Sequence, residues 1–182
     1  MTANHTQLFE GLELIEPHPR PKGHTTYQTE YKEDNTMGNR AVITTSTHRN
    51  PQVCDELGLY LHWNGGRDSV EAFLTYCKLH GYRAPETDCY GWVSLATVIG
   101  NFFSDGLSCG IDRCCKLDCD NGDNGVYVIK NWEIIDRKYF EYREEQKSYT
   151  LVDMLLEIDK SMPENMRLGD KVILDHCEKV TA

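Results

Sequence analysis

Residues 57–81, LGLYLHWNGGRDSVEAFLTYCKLHG, limit the possible folds more than any other stretch of the chain. Leu57, Leu59, Leu61 and Trp63 alternate with other residues, which places them on one face of a strand. Val70, Phe73, Leu74 and Cys77 then recur at helical spacing, and Gly81 supplies a stop. Only a short Asn-Gly-Gly segment lies between the two periods. A strand must therefore turn almost directly into a helix, so the chain has to combine sheet and helix in one core.

A strand that runs through glycines into a helix is also a common way to cradle phosphate. A dinucleotide fingerprint needs G-x-G-x-x-G and a P-loop needs G-x-x-x-x-G-K-[ST]; Gly65-Gly66 satisfies neither. Arg67 could meet an anion at the helix N-terminus, but Asp68 and Glu71 bring negative charge to the same turn. The stretch reads as a tight corner, with the glycines letting the chain reverse closely against Trp63. Asp68 and Glu71 have the spacing of a capping box, which makes Asp68 the expected N-cap.

The remaining elements follow from the same periodicities. AVITTST (41–47) is a strand rich in β-branched residues. Residues 90–103 carry a wide apolar stripe of Trp92, Leu95, Ala96, Ile99, Phe102 and Phe103, a second helix that Gly106 ends. LSCGI (107–111) and VYVI (126–129) read as strands joined by a solvated acidic hairpin loop, RCCKLDCDNGDNG, whose Asn-Gly steps are turn chemistry. NWEII extends the second of these strands. DRKYFEYREEQK and TLVDMLLEIDKSM have helical patterns, the latter with Thr150 and Asp153 as a cap pair, and KVIL (171–174) reads as a closing strand. Residues 1–38 hold EPHPRPKGH and YKEDNTMGN, rich in Pro, Gly and charge, and are expected to form an irregular N-terminal arm. The expected architecture is a single α+β domain over 39–182, a small mixed or antiparallel sheet packed against a few helices.

At 182 residues, with 40% hydrophobic content, the chain can bury a real core. No apolar run approaches the ~20 residues that span a bilayer, and the N-terminus lacks the pattern of a signal peptide. An intracellular protein is expected, in which the eight cysteines stay reduced. Cys77 falls on an apolar helix face, as a core thiol would. Cys109, Cys114, Cys115 and Cys119 are the candidates for a metal clip, with His80 or His176 as outside donors. Their C-x₄-C-C-x₃-C spacing differs from the paired C-x₂₋₄-C of zinc sites, and adjacent Cys114 and Cys115 diverge if extended. The interleaved aspartates miss the calcium-loop register. No nucleophile elbow or defensible carboxylate pair appears, so neither a catalytic constellation nor a cofactor is assigned.

The formal net charge is −10, and the excess acid lies beyond residue 50. Such a chain is poorly suited to bind a phosphate backbone by bulk attraction and better suited to meet a basic surface. Asp118, Asp120 and Asp123 on one loop and Glu141, Glu144 and Glu145 on an expected helix are the candidate partner-binding acids. They could present carboxylates to a Lys- and Arg-lined channel, although Arg137, Lys138 and Arg143 are mixed among them.

The stretches LYLHWNGGRDSVEAFLTYCKLHGYRAPE, YGWVSLATVIGNFF and CDNGDNGVYVIKNWEIIDR together resemble a family of small proteins carried by phages and mobile elements of gut bacteria, the type II-A anti-CRISPR proteins. The resemblance is one of whole stretches over about residues 40–140 and carries no catalytic signature. It implies a non-enzymatic inhibitor in the bacterial cytoplasm, with no cofactor, that binds a type II CRISPR effector nuclease with its guide RNA and blocks DNA recognition or cleavage. Such a nuclease presents positively charged channels for duplex, heteroduplex and displaced strand. Two alternatives stand beside it: an acidic DNA-mimic antirestriction protein, and a cysteine- or metal-dependent accessory protein of a mobile element.

Overall fold

The structure, a computed structural model, describes residues 38–104, 108–140 and 145–181. The expected N-terminal arm, except Gly38, lies outside them, as do Gly106, Glu141 and Glu144.

Five strands form one mixed sheet: β1 (Ala41–Thr44), β2 (Leu57–Leu61), β3 (Cys109–Arg113), β4 (Val126–Lys130) and β5 (Glu133–Lys138). Their spatial order is β3-β2-β1-β4-β5. Every neighbouring pair is antiparallel except β1 and β4, which run parallel. With helices α1 (Arg67–Leu79), α2 (Cys89–Phe103), α3 (Leu151–Ser161) and α4 (Asp170–Thr181), the fold is α+β, as the sequence predicts.

The period-2 alternation of the strands divides the apolar residues between two faces. Ala41, Ile43, Leu59, Leu61, Tyr127 and Ile129 join Phe73, Tyr76, Leu95, Ile99, Met154, Leu155 and Ile158 in the main core under the helices. Val42 and Val126 face the other way, into a smaller core with Cys54, Cys114 and Cys119. The central strand β1 is buried along its whole length because both faces are covered. Each large apolar side chain removed from water in this way contributes about 1.5–3 kcal/mol.

The helix ends follow local chemistry. Thr150 caps α3 by accepting from the Asp153 N–H at 3.2 Å, the expected pair. Asp88 caps α2 by accepting from the Tyr90 N–H at 3.0 Å. Gly81, with φ of +70°, ends α1. Asp68 is not a cap: the N-cap of α1 is Gly66, without a side-chain bond, and Glu71 pairs with Arg67 at 2.8 Å instead of closing a capping box.

Four other expectations are corrected. The 114–125 loop is no solvated hairpin. It crosses to the second face of the sheet and folds onto it, burying Cys114, Cys119, Asn121, Asp123 and Asn124. β3 and β4, which it links, end on opposite sides of β1 and β2 and do not pair. NWEII does not extend β4; Asn131 and Trp132 form a two-residue turn between the paired Lys130 and Glu133, and the chain returns as β5. Both turn residues have positive φ, 51° and 63°, which matches a primed hairpin turn. Trp132 holds that unusual conformation because its ring is buried and its Nε1–H donates to the Tyr82 carbonyl at 2.9 Å. The expected helix over 136–147 is therefore strand through Lys138 and irregular over its other described residues. KVIL lies in helix α4, where Ile173 packs into the main core. Among the described residues no helix is long and apolar enough to cross a membrane.

Candidate interaction surface

The Asn-Gly-Gly corner works as a joint. Asn64 takes φ of +54°, and the Gly65 N–H donates to the Asn39 carbonyl at 2.8 Å. A Cβ on Gly65 would sit 2.6 Å from the Ala41 nitrogen, so the close approach is to the start of β1. Trp63 is half exposed and is not what the glycines pack against. On the helix side, Asp68 Oδ2 accepts from the Tyr149 N–H at 2.8 Å and also from the Ser148 N–H. Arg67 pairs with both Glu71 and Glu145. The helix N-terminus is thus filled by this chain's own 145–149 segment, with Asp68 as its anchor. Those carboxylates and backbone contacts leave the turn with the wrong charge for a phosphate.

The candidate acids separate into two groups. Asp123 is buried and receives the Arg40 backbone N–H at 3.1 Å and the Arg40 Nε–H at 2.6 Å. The carboxylate lifts the Arg40 guanidinium above its ordinary range, mainly through that side-chain bond. Glu145 lies between Arg67 and Arg137, the latter 3.9 Å away. Arg137 is itself held by the Asn124 carbonyl at 2.9 Å and stacks over Phe140. Asp118 and Asp120 are exposed, Asp118 at 3.9 Å from Arg40. Two of the four described candidates therefore neutralise internal arginines, and two face solvent. The loop is organised by Asn121, which the sequence reading missed. Its Oδ1 accepts from the Asp123 and Gly125 N–H groups and its Nδ2 donates to the Asp118 and Gly125 carbonyls.

All eight cysteines lie among the described residues and are thiols, with no disulfide between them. The four metal candidates do not converge. Cys109 packs against the helical core, whereas Cys114 and Cys119 belong to the opposite face. Cys115 is partly exposed, its Sγ 3.5 Å from Asp55. His80 stacks on Tyr82 and His176 lines a cleft beside α1, both on the helical side. No grouping of three or more metal-binding side chains occurs among the described residues. Cys54, missed in the sequence, is the real neighbour of Cys114. Cys54 Sγ donates to Ser46 Oγ at 3.1 Å and Cys114 Sγ to Thr44 Oγ1 at 3.3 Å. Burial pushes the Cys119 thiol up to about 12 and raises Cys114 as well. These thiols stay protonated at neutral pH and are poor nucleophiles and ligands.

Among the described residues, one surface open to a partner is an apolar groove of about 430 Å³. It lies between α2 and the β2–β3 end of the sheet, lined by Leu57, Cys89, Trp92, Val93, Ala96 and Ile111 with Thr97. Val93 is 62% exposed and Ile111 48%, and Tyr90 is exposed beside them. Contiguous exposed apolar surface of this kind marks interaction sites more often than isolated residues do. The stripe of α2 hides this second role in the sequence, because Val93 falls outside it.

No protein-family model matches the chain, and neither a curated protein nor a solved structure matches it.

Proposed function

We propose that this chain is a non-enzymatic inhibitor that binds a type II CRISPR effector nuclease, with its guide RNA, and blocks DNA recognition or cleavage. The resemblance of residues 40–140 to anti-CRISPR proteins supplies the partner. The observation that carries the binding reading is the exposed apolar groove on an otherwise acidic protein, a surface that costs solubility unless a partner covers it. The polar clusters of the molecule do structural work. Arg40–Asp123 holds a loop to β1, Arg67–Glu145 holds a segment to α1, and two of the former metal candidates, Cys114 and Cys119, are buried thiols held protonated by that burial. Because Asp123 and Glu145 are spent on internal arginines, a continuous DNA-like row of carboxylates has less support than docking by shape and apolar contact.

The test is complex formation by size-exclusion chromatography, using guide-loaded and guide-free effector, each with and without target DNA. An equimolar complex with at least one of these states is expected. Failure to co-elute with any state of several type II effectors would remove the proposal.

A further inference from the structure

His80 ends α1 where three parts of the fold meet. Its ring stacks on Tyr82 with centroids 4.8 Å apart and planes 5° apart, and it tilts against Tyr76 at 4.9 Å. The Tyr82 carbonyl accepts from Trp132 Nε1, so the same corner holds the β4–β5 turn. On the third side lie α3 and the segment that follows it, where Asp159 and the Met166 backbone both act on the ring. His80 Nε2 is buried and has no hydrogen-bond partner among the described residues. A neutral ring can leave one nitrogen bare at the cost of an unused acceptor. A protonated ring brings a second N–H and a positive charge to that buried position, which costs far more without a partner.

Asp159 is the charged side chain to which that proton would turn, and it is already occupied. Its Oδ1 accepts from the Tyr76 hydroxyl at 2.6 Å and from the Leu168 N–H at 2.7 Å. Its Oδ2 accepts from the Gly169 N–H at 3.2 Å. These bonds tie α1 to α3 and fix the backbone just before α4. Among the described residues, Tyr76, Tyr82 and Asp159 are the titratable groups that face the ring, and burial keeps both phenols neutral well above pH 7. Burial also holds His80 below the ordinary imidazole range, against the opposite pull of Asp159 and of the Met166 backbone. Protonation of the ring therefore either strands a buried cation or draws Asp159 away from the start of α4.

We propose that His80 is an acid-sensitive latch: when its ring takes up a proton, the joint between the end of α1, the β4–β5 turn and the start of α4 loosens. α4 gives His176 and Val180 to a cleft of about 310 Å³ that Trp132 also lines, so a loosened joint widens that cleft. An unfolded histidine titrates near about 6.5. Below that value the opened chain binds a proton that the closed one resists, so stability falls as pH drops. The latch goes beyond the binding-protein reading and does not depend on which partner the chain meets.

The test is an NMR titration of the full chain from pH 7.5 to pH 5, paired with urea unfolding of wild type and His80→Phe. The phenylalanine keeps an aromatic ring in the stack and removes the titrating nitrogen. The His80 ring is expected to titrate below about 6.5, with the Trp132 indole and the Leu168 and Gly169 amides shifting at the same midpoint. The ratio of unfolding constants, wild type to variant, should rise by about three-fold or more between pH 7.5 and pH 5. Hydrogen exchange at Gly169, corrected for its intrinsic rate, should quicken over that range in wild type and not in the variant. A ring that titrates at or above the ordinary value, reporters that do not follow it, or a ratio that stays flat would overturn the proposal. If His80→Phe does not fold, the wild-type ring titration and its three reporters decide the matter alone.

Discussion

Asp123 shows how far a side chain's role can depart from its surroundings in the sequence. It sits in an Asp- and Asn-rich loop that reads as solvated, yet its carboxylate is buried against Arg40 and organises the junction of loop and β1. Asp123→Ala removes both bonds to Arg40, whose guanidinium is partly exposed and keeps access to water, so it should cost about 1–2 kcal/mol. Asp120→Ala, on the same loop but exposed, should change stability by less than about 0.5 kcal/mol. Urea denaturation of both variants measures the contrast; equal effects would mean the loop is not anchored as described. Composition could not separate these two aspartates. The signal was Asn121, whose side chain can bond the backbone on both sides of a tight loop, as Asn does in turns. Cys77 was legible because a thiol at helical spacing among apolar residues has few other places to go.

Among the elements, legibility followed the strength of periodicity. The strand at 57–61, α1, α2 and the Thr150 cap were readable because their hydrophobic spacing was strong, even though the N-cap of α1 is Gly66 and not Asp68. The failures came where local preference conflicted with tertiary packing. β-branched KVIL favours a strand in isolation, but Gly169 and Asp170 start a helix that buries Ile173 against the core. The charged 136–147 stretch mimics an amphipathic helix, while the turn that makes it a strand depends on Trp132 at positive φ, a residue that gives no turn signal. The corner offers a test at this scale. Gly65 has no room for a Cβ against the β1 backbone, so Gly65→Ala should destabilise by about 2 kcal/mol or more, as overpacking does. Gly110, with open space where its Cβ would be, should tolerate alanine with a change below about 1 kcal/mol. Thermal melts of the two variants compare them directly.

For the molecule as a whole, buried weak acids set how stability responds to pH. Burial is the leading cause that raises Cys119 to about 12, and it also raises Cys77, Cys114, Tyr76 and Tyr127. Tyr76 is raised further by its 2.6 Å bond to Asp159. Unfolded thiols titrate near about 8.5 and tyrosines near about 10. Between those values and the raised folded ones the native state holds more protons, so unfolding becomes easier as pH rises. The stabilisation is complete at neutral pH and is lost from about pH 9 upward, first through the thiols and then the tyrosines. Urea midpoints at pH 7.5, 9 and 10 should fall in that order, and a midpoint that rises over the range would refute the burial assignments.

The same scale holds the central claim, that the chain acts by stoichiometric association and not by turnover. It is tested most directly by titrating the chain into a guided DNA-cleavage reaction at a fixed effector concentration well above the binding constant. Residual cleavage should fall linearly and reach its floor near one inhibitor per effector, with no further loss on longer preincubation. Inhibition that continues to grow with time at substoichiometric amounts would point to an enzyme, and cleavage untouched at large excess would contradict the account outright.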